Sequence, residues 1–392
     1  MANKRDNDGR PRGMATRLVQ AGRDKSITGQ FVNPPVVHAS TVLFDSVDDM
    51  LHRRQRYQYG RRGTPTSEAL ESAIAHIEGS DGAVLCPSGL SANATALLAS
   101  VSAGDRILVT DSVYGPVRHF ADVTLKRLGV ETVYYDPAAG ADIADLITDA
   151  TTVVYCESPG SLTFEMQDLS AIAAAAHARN ATVIFDNTWA TPVYFRPLEH
   201  GADLSVIAAT KYIAGHADVM LGTIAGNGAH LKRVRETHGN LGLHVGPDDV
   251  FLGLRGLRTL AVRLDRHWRS GVAVAEWLQR RTEVAEVRYP ALRSDPGNAL
   301  WRRDMTGASG LFGVVLKDQD IERAKRLVDH LELFGIGASW GGFESLAILT
   351  HPHPPRAVTA AAGGPLLRFH IGLDDPADLI ADLDAAFAAS AA

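Results

Sequence analysis

The sequence predicts an α/β fold: a mostly parallel sheet flanked by helices, followed by a smaller C-terminal α+β domain. Three observations predict it. From about residue 66 to 256, β-branched runs of strand length alternate with segments whose apolar residues recur at spacings of three and four. After about 256 that alternation gives way to one long amphipathic stretch, a few short apolar runs and a helical terminus. A chain of 392 residues with 45% hydrophobic and 21% charged residues has the material for the large core such a sheet needs.

The chain opens with a polar, charged stretch, Met1 to Gly13, that lacks the apolar run of a secretory signal. No window approaches the ~18 consecutive apolar residues of a membrane span. A cytoplasmic protein is expected. "SEALESAIAHIEG" (67–79) reads as the first long helix, with Thr66 and Ser67 as N-cap oxygens and Gly79 as its stop. "LCPSGLSANAT" (85–95) is a small-residue turn that opens a helix. The runs "RILVT" (106–110), "TVYYD" (132–136), "TVVYCES" (152–158), "TVIFDN" (182–187) and "LSVIAAT" (204–210) read as buried strands, and "SAIAAAAHARN" (170–180) as a helix between them. Strands separated by helices argue for parallel pairing with helices on both faces. In the second part the amphipathic stretch covers 258–281, the strands are "LFGVVLK" (311–317) and "LLRFHIG" (366–372), and "DPADLIADLDAAFA" (375–388) closes the chain. "HPHPPRAVTAAAGG" (351–364) is the one long Pro/Gly-rich loop. There is no internal repeat.

Charge and cysteine usage narrow the function. A net charge of −6 offers no basic field, so neither nucleic acid nor an anionic membrane is expected as a partner. Cys86 and Cys156 stand in apolar surroundings and read as buried thiols in a reducing compartment. The histidines of "HPHPP" (351–355) sit beside prolines without an acidic or thiol neighbour, so no metal site is expected.

Ligands of open parallel sheets bind beyond the carboxyl ends of the strands. Here those ends carry Asp111 and Tyr114, Glu157 and Ser158, Asp186 and Asn187, and Thr210 and Lys211. Each has an ordinary explanation alone: an N-cap, a solvent-reaching lysine, a packed aromatic. Together they do not. An aspartate, a lysine after the next strand and a helix start suited to a phosphate match one cofactor, pyridoxal 5'-phosphate (PLP). Burial weakens an amine's preference for its charged form, so a lysine placed like Lys211 is there to react.

At these residues the sequence resembles the Cys/Met-metabolism family of PLP-dependent enzymes. The matching stretches are "YGRRGTPT" (59–66), "ESPGSLTFE" (157–165), "DNTWATP" (186–192), "ATKYIAGHADVMLGT" (209–223), "LRGLRTLAVRL" (254–264), "SWGGFESL" (339–346) and "LRFHIGLDD" (367–375), in the family's order across roughly 16 to 390. The resemblance implies an aspartate-aminotransferase-type (fold type I) architecture. It divides the chain into an N-terminal arm (1–60) contributing to a dimer interface, a PLP-binding domain (61–256) and a C-terminal domain (257–392). A homotetramer, a dimer of dimers, is implied.

It also implies roles. Lys211 would hold the cofactor and shuttle the Cα proton, Asp186 would pair with the ring nitrogen, and Tyr114 would stack on the ring. Gly89, Leu90 and Thr210 would bind the phosphate, and Tyr59 and Arg61 would reach a neighbouring subunit's phosphate. Arg368 would grip the substrate carboxylate with Ser339 and Trp340. The implied reaction is carbon–sulfur α,β-elimination of an amino-acid thioether, L-cystathionine, to homocysteine, pyruvate and ammonia. The alternatives are a γ-acting member of the same family and a broad cysteine-S-conjugate β-lyase. A dehydrogenase on a doubly wound sheet lacks its G-x-G-x-x-G between strand and helix. Gly160 and Ser161 favour the β branch. Ala208 stands where the family often has serine, Ala338 where tyrosine or glutamate is usual, and Gly239 where a substrate-facing tyrosine is expected.

Overall fold

The computed structural model describes residues 12–351 and 353–391. The alternating region folds into strands Gly82–Cys86 (β1), Arg106–Thr110 (β2), Glu131–Tyr135 (β3), Thr151–Glu157 (β4), Thr182–Asp186 (β5), Leu204–Ile207 (β6) and Gly222–Gly226 (β7). They form one seven-stranded sheet in the order β1-β7-β6-β5-β4-β2-β3. From β6 through to β3 every pairing is parallel, while β7 runs antiparallel to both its neighbours. Central strands covered on both faces must be apolar throughout, and β5 and β6 are buried along their whole length.

Two strands are interrupted by small residues and are weak as apolar runs. β1 ("GAVLC") and β7 ("GTIAG") both begin with glycine, and at Gly222 the reason is space: a Cβ there would stand 2.2 Å from the Ser88 carbonyl oxygen. β6 also ends earlier than the expected Thr210. The Ala208 N–H donates to Thr188 Oγ1 at 2.9 Å and the Thr210 N–H to the Leu221 carbonyl at 2.9 Å, so the chain has left the ladder there. The first long helix, Pro65–Glu78, begins earlier than expected. Thr64 caps it in a reciprocal box with Ser67, and the Thr66 hydroxyl instead donates to the Pro35 carbonyl at 2.7 Å. Gly79 ends it at φ 76°, as its position suggested.

A second, five-stranded sheet comprises Val284–Arg288 (β8), Leu311–Leu316 (β9), Gly335–Ile336 (β10), Leu346–Thr350 (β11) and Leu366–His370 (β12), in the order β10-β11-β12-β9-β8. The helix Leu260–Gln279 joins the sheets. Its Leu260 and Leu264 pack in a core with Leu70, Ile74 and Ile213, while its Val274 and Leu278 belong to a core shared with Phe185, Phe312 and Phe369. That shared core ties the sheets together, and Trp189 Nε1 adds a hydrogen bond to the Leu311 carbonyl at 3.0 Å. No described helix is long and apolar enough to cross a membrane. Cys86 and Cys156 are buried and unpaired, and burial pushes both thiols up to about 12.

Candidate active site

Lys211 stands in the turn after β6, not on the strand. Arg263 shapes that turn: its guanidinium donates to the Ile213 carbonyl at 3.2 Å and the Gly256 carbonyl at 2.8 Å. The lysine is half-buried, its Nζ donates to Ser339 Oγ at 2.7 Å, and it lies 5.3 Å from the centre of the Trp340 ring. Burial, reinforced by the positive charge of Arg368, pushes its ammonium down to about 8. A neutral, nucleophilic amine is therefore accessible near neutral pH.

The turn that carries Ser339 and Trp340 lies directly on the lysine's own backbone. Gly341, at φ 89°, has no room for a side chain, since a Cβ there would stand 2.8 Å from the Lys211 carbonyl carbon. His370, fully buried on β12, accepts the Gly341 N–H at 3.1 Å and holds the turn from below.

Asp186 ends β5 and is buried. Its Oδ1 accepts the Thr188 N–H at 2.9 Å and the Thr188 hydroxyl at 2.5 Å, and its Oδ2 accepts Asn93 Nδ2 at 2.9 Å. Asn93 is fixed in turn by the Tyr155 hydroxyl at 2.8 Å. Burial pushes the Asp186 carboxyl up, and the Thr188 and Asn93 donors pull it back toward the anion. A cation placed against it would complete that pull. On the adjacent strand, Glu157 pairs in register with Asp186 and accepts the Tyr114 N–H at 2.7 Å. Burial, then the charge of Asp186, pushes the Glu157 carboxyl far up, and the Tyr114 N–H pulls it partly back.

The Tyr114 side chain is exposed; burial of part of it and then the charges of Glu157 and Asp186 push its phenol up, against a smaller downward pull from Arg368. Arg368 is buried, its pKa lowered by that burial to about 10. Its Nη groups donate to the backbone carbonyls of Gly337, Ala338 and Ser339 at 3.0, 3.1 and 2.9 Å, and its Nε has no acceptor among the described residues. A buried guanidinium with no carboxylate against it, beside the lysine, is prepared for an anionic ligand group.

Ser88 caps the helix Gly89–Leu98 through the Ser91 N–H at 3.1 Å. The Gly89 and Leu90 N–H groups have no acceptor among the described residues and suit a phosphate. Gly89 must be glycine, because a Cβ would stand 2.4 Å from the Ala208 methyl. Thr210 differs from expectation: its hydroxyl donates to the Leu221 carbonyl at 3.1 Å and accepts the Leu221 N–H at 2.8 Å.

Tyr59 and Arg61 lie apart from this group. Arg61 donates to the Gly239 carbonyl at 3.1 Å and lines a cavity of about 320 Å³ with Arg62, Arg235 and His238; Tyr59 is exposed. Gly239 leaves space for Arg62, whose guanidinium would stand 1.8 Å from a Cβ there. Ala338 contributes only its carbonyl. Sequence reasoning missed Asn93, Thr188, Gly341 and His370. Asn93 had a signal: it stands one turn after Gly89, a polar residue among the small residues of "SANAT".

These features fit PLP: a reactive amine, a carboxylate awaiting a cation, unpaired amides at a helix start and a guanidinium lacking its anion. Residues 15–388 match the family model described as "Cys/Met metabolism PLP-dependent enzyme". A Rhizobium johnstonii protein that carries a provisional cystathionine beta-lyase name is 51% identical over 384 residues, covering 97% of each chain. Escherichia coli cystathionine beta-lyase MetC is 43% identical, covering 95% of this chain and 98% of its own. The crystal structure of cystathionine gamma synthase from Xanthomonas oryzae pv. oryzae, in complex with aminoacrylate and cysteine, superposes with a TM-score of 0.90 at 31% identity, over 97% of this chain and 99% of that one. The architecture is therefore fold type I, the cofactor is PLP, and the chain belongs to the Cys/Met metabolism family of PLP-dependent enzymes.

Proposed function

We propose that the chain is a carbon–sulfur lyase that cleaves L-cystathionine by α,β-elimination, giving homocysteine, pyruvate and ammonia with the uptake of one water. The observation that carries this reading is the half-buried Lys211 Nζ, held at 2.7 Å from the Ser339 hydroxyl, with burial and the charge of Arg368 pushing its ammonium down to about 8. The names of the 51% and 43% identical relatives support cystathionine as the substrate.

When bound, PLP supplies an aldehyde that condenses with amines and a ring that withdraws the electron pair from the substrate Cα. The residues do the rest. Asp186 would keep the ring nitrogen protonated, with Asn93 and Thr188 holding its carboxylate ionised. Gly89 and Leu90 would bind the phosphate through backbone N–H groups, and Thr210 could join them only by releasing Leu221. Tyr114 would cover the ring. Arg368 would take the substrate carboxylate, turning its donors from the 337–339 carbonyls, with Ser339 and Trp340 closing that side. Lys211 Nζ would accept the Cα proton. The Cβ–S bond then breaks and the thiolate leaves as homocysteine once protonated.

The arm 1–60, whose residues 1–11 lie outside the described residues, is proposed to pack on a second copy through its described part, and Tyr59 and Arg61 to serve that copy's phosphate. The support is its unburied apolar surface: Phe31 is 81% and Leu43 85% exposed in the single chain. A homotetramer extends the same reading. A division of the chain at about 60 and 256 belongs to the same proposal; what supports its second boundary is that β1–β7 precede it and β8–β12 follow it. The free buried thiols suit a reducing cytoplasm, and homocysteine release suits methionine biosynthesis by transsulfuration.

Identification of the keto acid formed from L-cystathionine tests the reaction. Pyruvate is expected. 2-Oxobutyrate would replace this reading with γ-cleavage, which the kinship to a γ-synthase structure keeps in view.

A further inference from the structure

The loop that carries Tyr114 is gripped from the second sheet. Asp111, just beyond β2, has a fully buried carboxylate. Its Oδ1 accepts the Ala357 N–H at 2.8 Å and Arg118 Nη2 at 2.7 Å. Its Oδ2 accepts the Val358 N–H at 3.0 Å, the Thr359 N–H at 2.8 Å and the Thr359 hydroxyl at 2.7 Å. Burial alone would raise this carboxyl, but the donors on 357–359 and Arg118 hold it well below the ordinary range. Residues 357–359 lie on the connection from β11 to β12, and β12 carries Arg368. A second tie runs alongside. Arg356, its side chain 6% exposed, donates to Glu165 Oε1 at 3.0 Å and to the Thr163 hydroxyl. The Glu165 loop is itself stitched to the Tyr114 loop, through the Ser161 N–H on the Ser112 carbonyl at 2.8 Å.

Beyond these two ties, residues 357 and 358 face solvent. Val358 is 56% exposed, and Ala357 is exposed as well. A loop with few apolar contacts opens locally at low cost when its polar anchors are removed. Asp111 is therefore the anchor of residues 357–359, beside the Arg356 tie one residue earlier.

We infer that Asp111 is a positioning residue: by clasping residues 357–359 to the loop of Tyr114, it sets the distance between Arg368 and the face Tyr114 covers. The inference rests on the lyase reading, in which those two residues hold the substrate carboxylate and the cofactor ring. A substrate that must bridge both groups feels the clasp as binding energy, while the Lys211 proton transfer does not depend on it.

The test uses the PLP-loaded enzyme with L-cystathionine, comparing wild type, Asp111→Asn, Asp111→Ala and Thr359→Val. Asp111→Ala should raise KM roughly tenfold while kcat stays within about threefold, the pattern of lost ground-state positioning. Asp111→Asn and Thr359→Val should raise KM less, by about threefold, because each retains part of the donor set. Amide hydrogen exchange at Ala357, Val358 and Thr359 should quicken in all three variants, with the strands of both sheets unchanged. Should Asp111→Ala fail to fold, the other two variants carry the same comparison. Unchanged KM, or unchanged exchange at 357–359, overturns the clasp. Wild-type enzyme without lyase activity would instead overturn the lyase reading, and the exchange result would still decide whether Asp111 holds the loop.

Discussion

Gly341→Ala is the single substitution whose effect on the site can be worked most fully from geometry. Gly341 has φ 89°, and an added Cβ would stand 2.8 Å from the Lys211 carbonyl carbon and 2.9 Å from Lys211 Cα and Tyr212 N. The left-handed backbone costs an L-residue roughly 1–2 kcal/mol. The overlap is with backbone, which cannot rotate aside, and overpacking of that kind adds about 1–3 kcal/mol. The turn relieves both by lifting away from the lysine. That movement breaks the Gly341 N–H bond to His370 and separates Ser339 Oγ from Lys211 Nζ, now 2.7 Å apart. Urea unfolding should show a loss of roughly 2–5 kcal/mol, the sum of those terms. Steady-state kinetics should show kcat/KM down by ~100-fold, about 3 kcal/mol of transition-state stabilisation. Gly363→Ala is the control, because nothing lies within 4 Å of a Cβ there. If Gly341→Ala matched that control in both assays, the claim that the 339–342 turn positions Lys211 would be wrong.

Two further predictions concern buried polar groups. Asn93→Ala removes a 2.9 Å donor from Asp186 and leaves the Tyr155 hydroxyl without its acceptor. The Asp186 carboxyl then rises further, kcat should fall about tenfold, and PLP should dissociate more readily; unchanged kcat and unchanged PLP affinity in a cofactor titration would exclude the relay. Glu78 is buried under β6, its Oε1 accepting the Ser205 hydroxyl at 2.9 Å, and burial pushes its carboxyl up to about 8 from 4.5. Because the folded value is the higher, its protonated form's contribution is complete below 4.5 and drains away as the pH rises to 8. Glu78→Gln should flatten the decline in stability between those limits and exceed wild type at the upper one by roughly 4 kcal/mol. Parallel stability curves for the two proteins across that window would refute the assignment.

The strands of the parallel sheet were legible because burial on both faces demands β-branched runs, and β2 to β6 each carry one. β1 and β7 are harder to read, because glycines bound their short apolar runs, and Gly222 beside the Ser88 carbonyl is selected by space rather than by hydropathy. Lys211 stood out in the sequence by its place after an apolar run, but the turn that holds it did not. Departure from the ladder is set by Thr188 and Leu221, which are remote or read as unremarkable in the sequence. Ala338 drew notice as an unusual side chain, and the structure uses its carbonyl, a group every residue offers. The Asp111 anchor joins segments far apart in the chain through backbone donors that leave no mark on residue type. Tyr59 and Arg61 came from family likeness alone, and within one chain Arg61 hydrogen-bonds to the Gly239 carbonyl while Tyr59 is exposed.

The central claim is a covalent one, that Lys211 is the residue that carries PLP. Borohydride reduction of freshly purified protein, followed by peptide mass mapping, tests it most directly. The pyridoxyl group should be recovered on the peptide containing Lys211, and Lys211→Ala should yield none while keeping the wild-type circular dichroism. A label on another lysine, or no label on protein saturated with PLP, would contradict it.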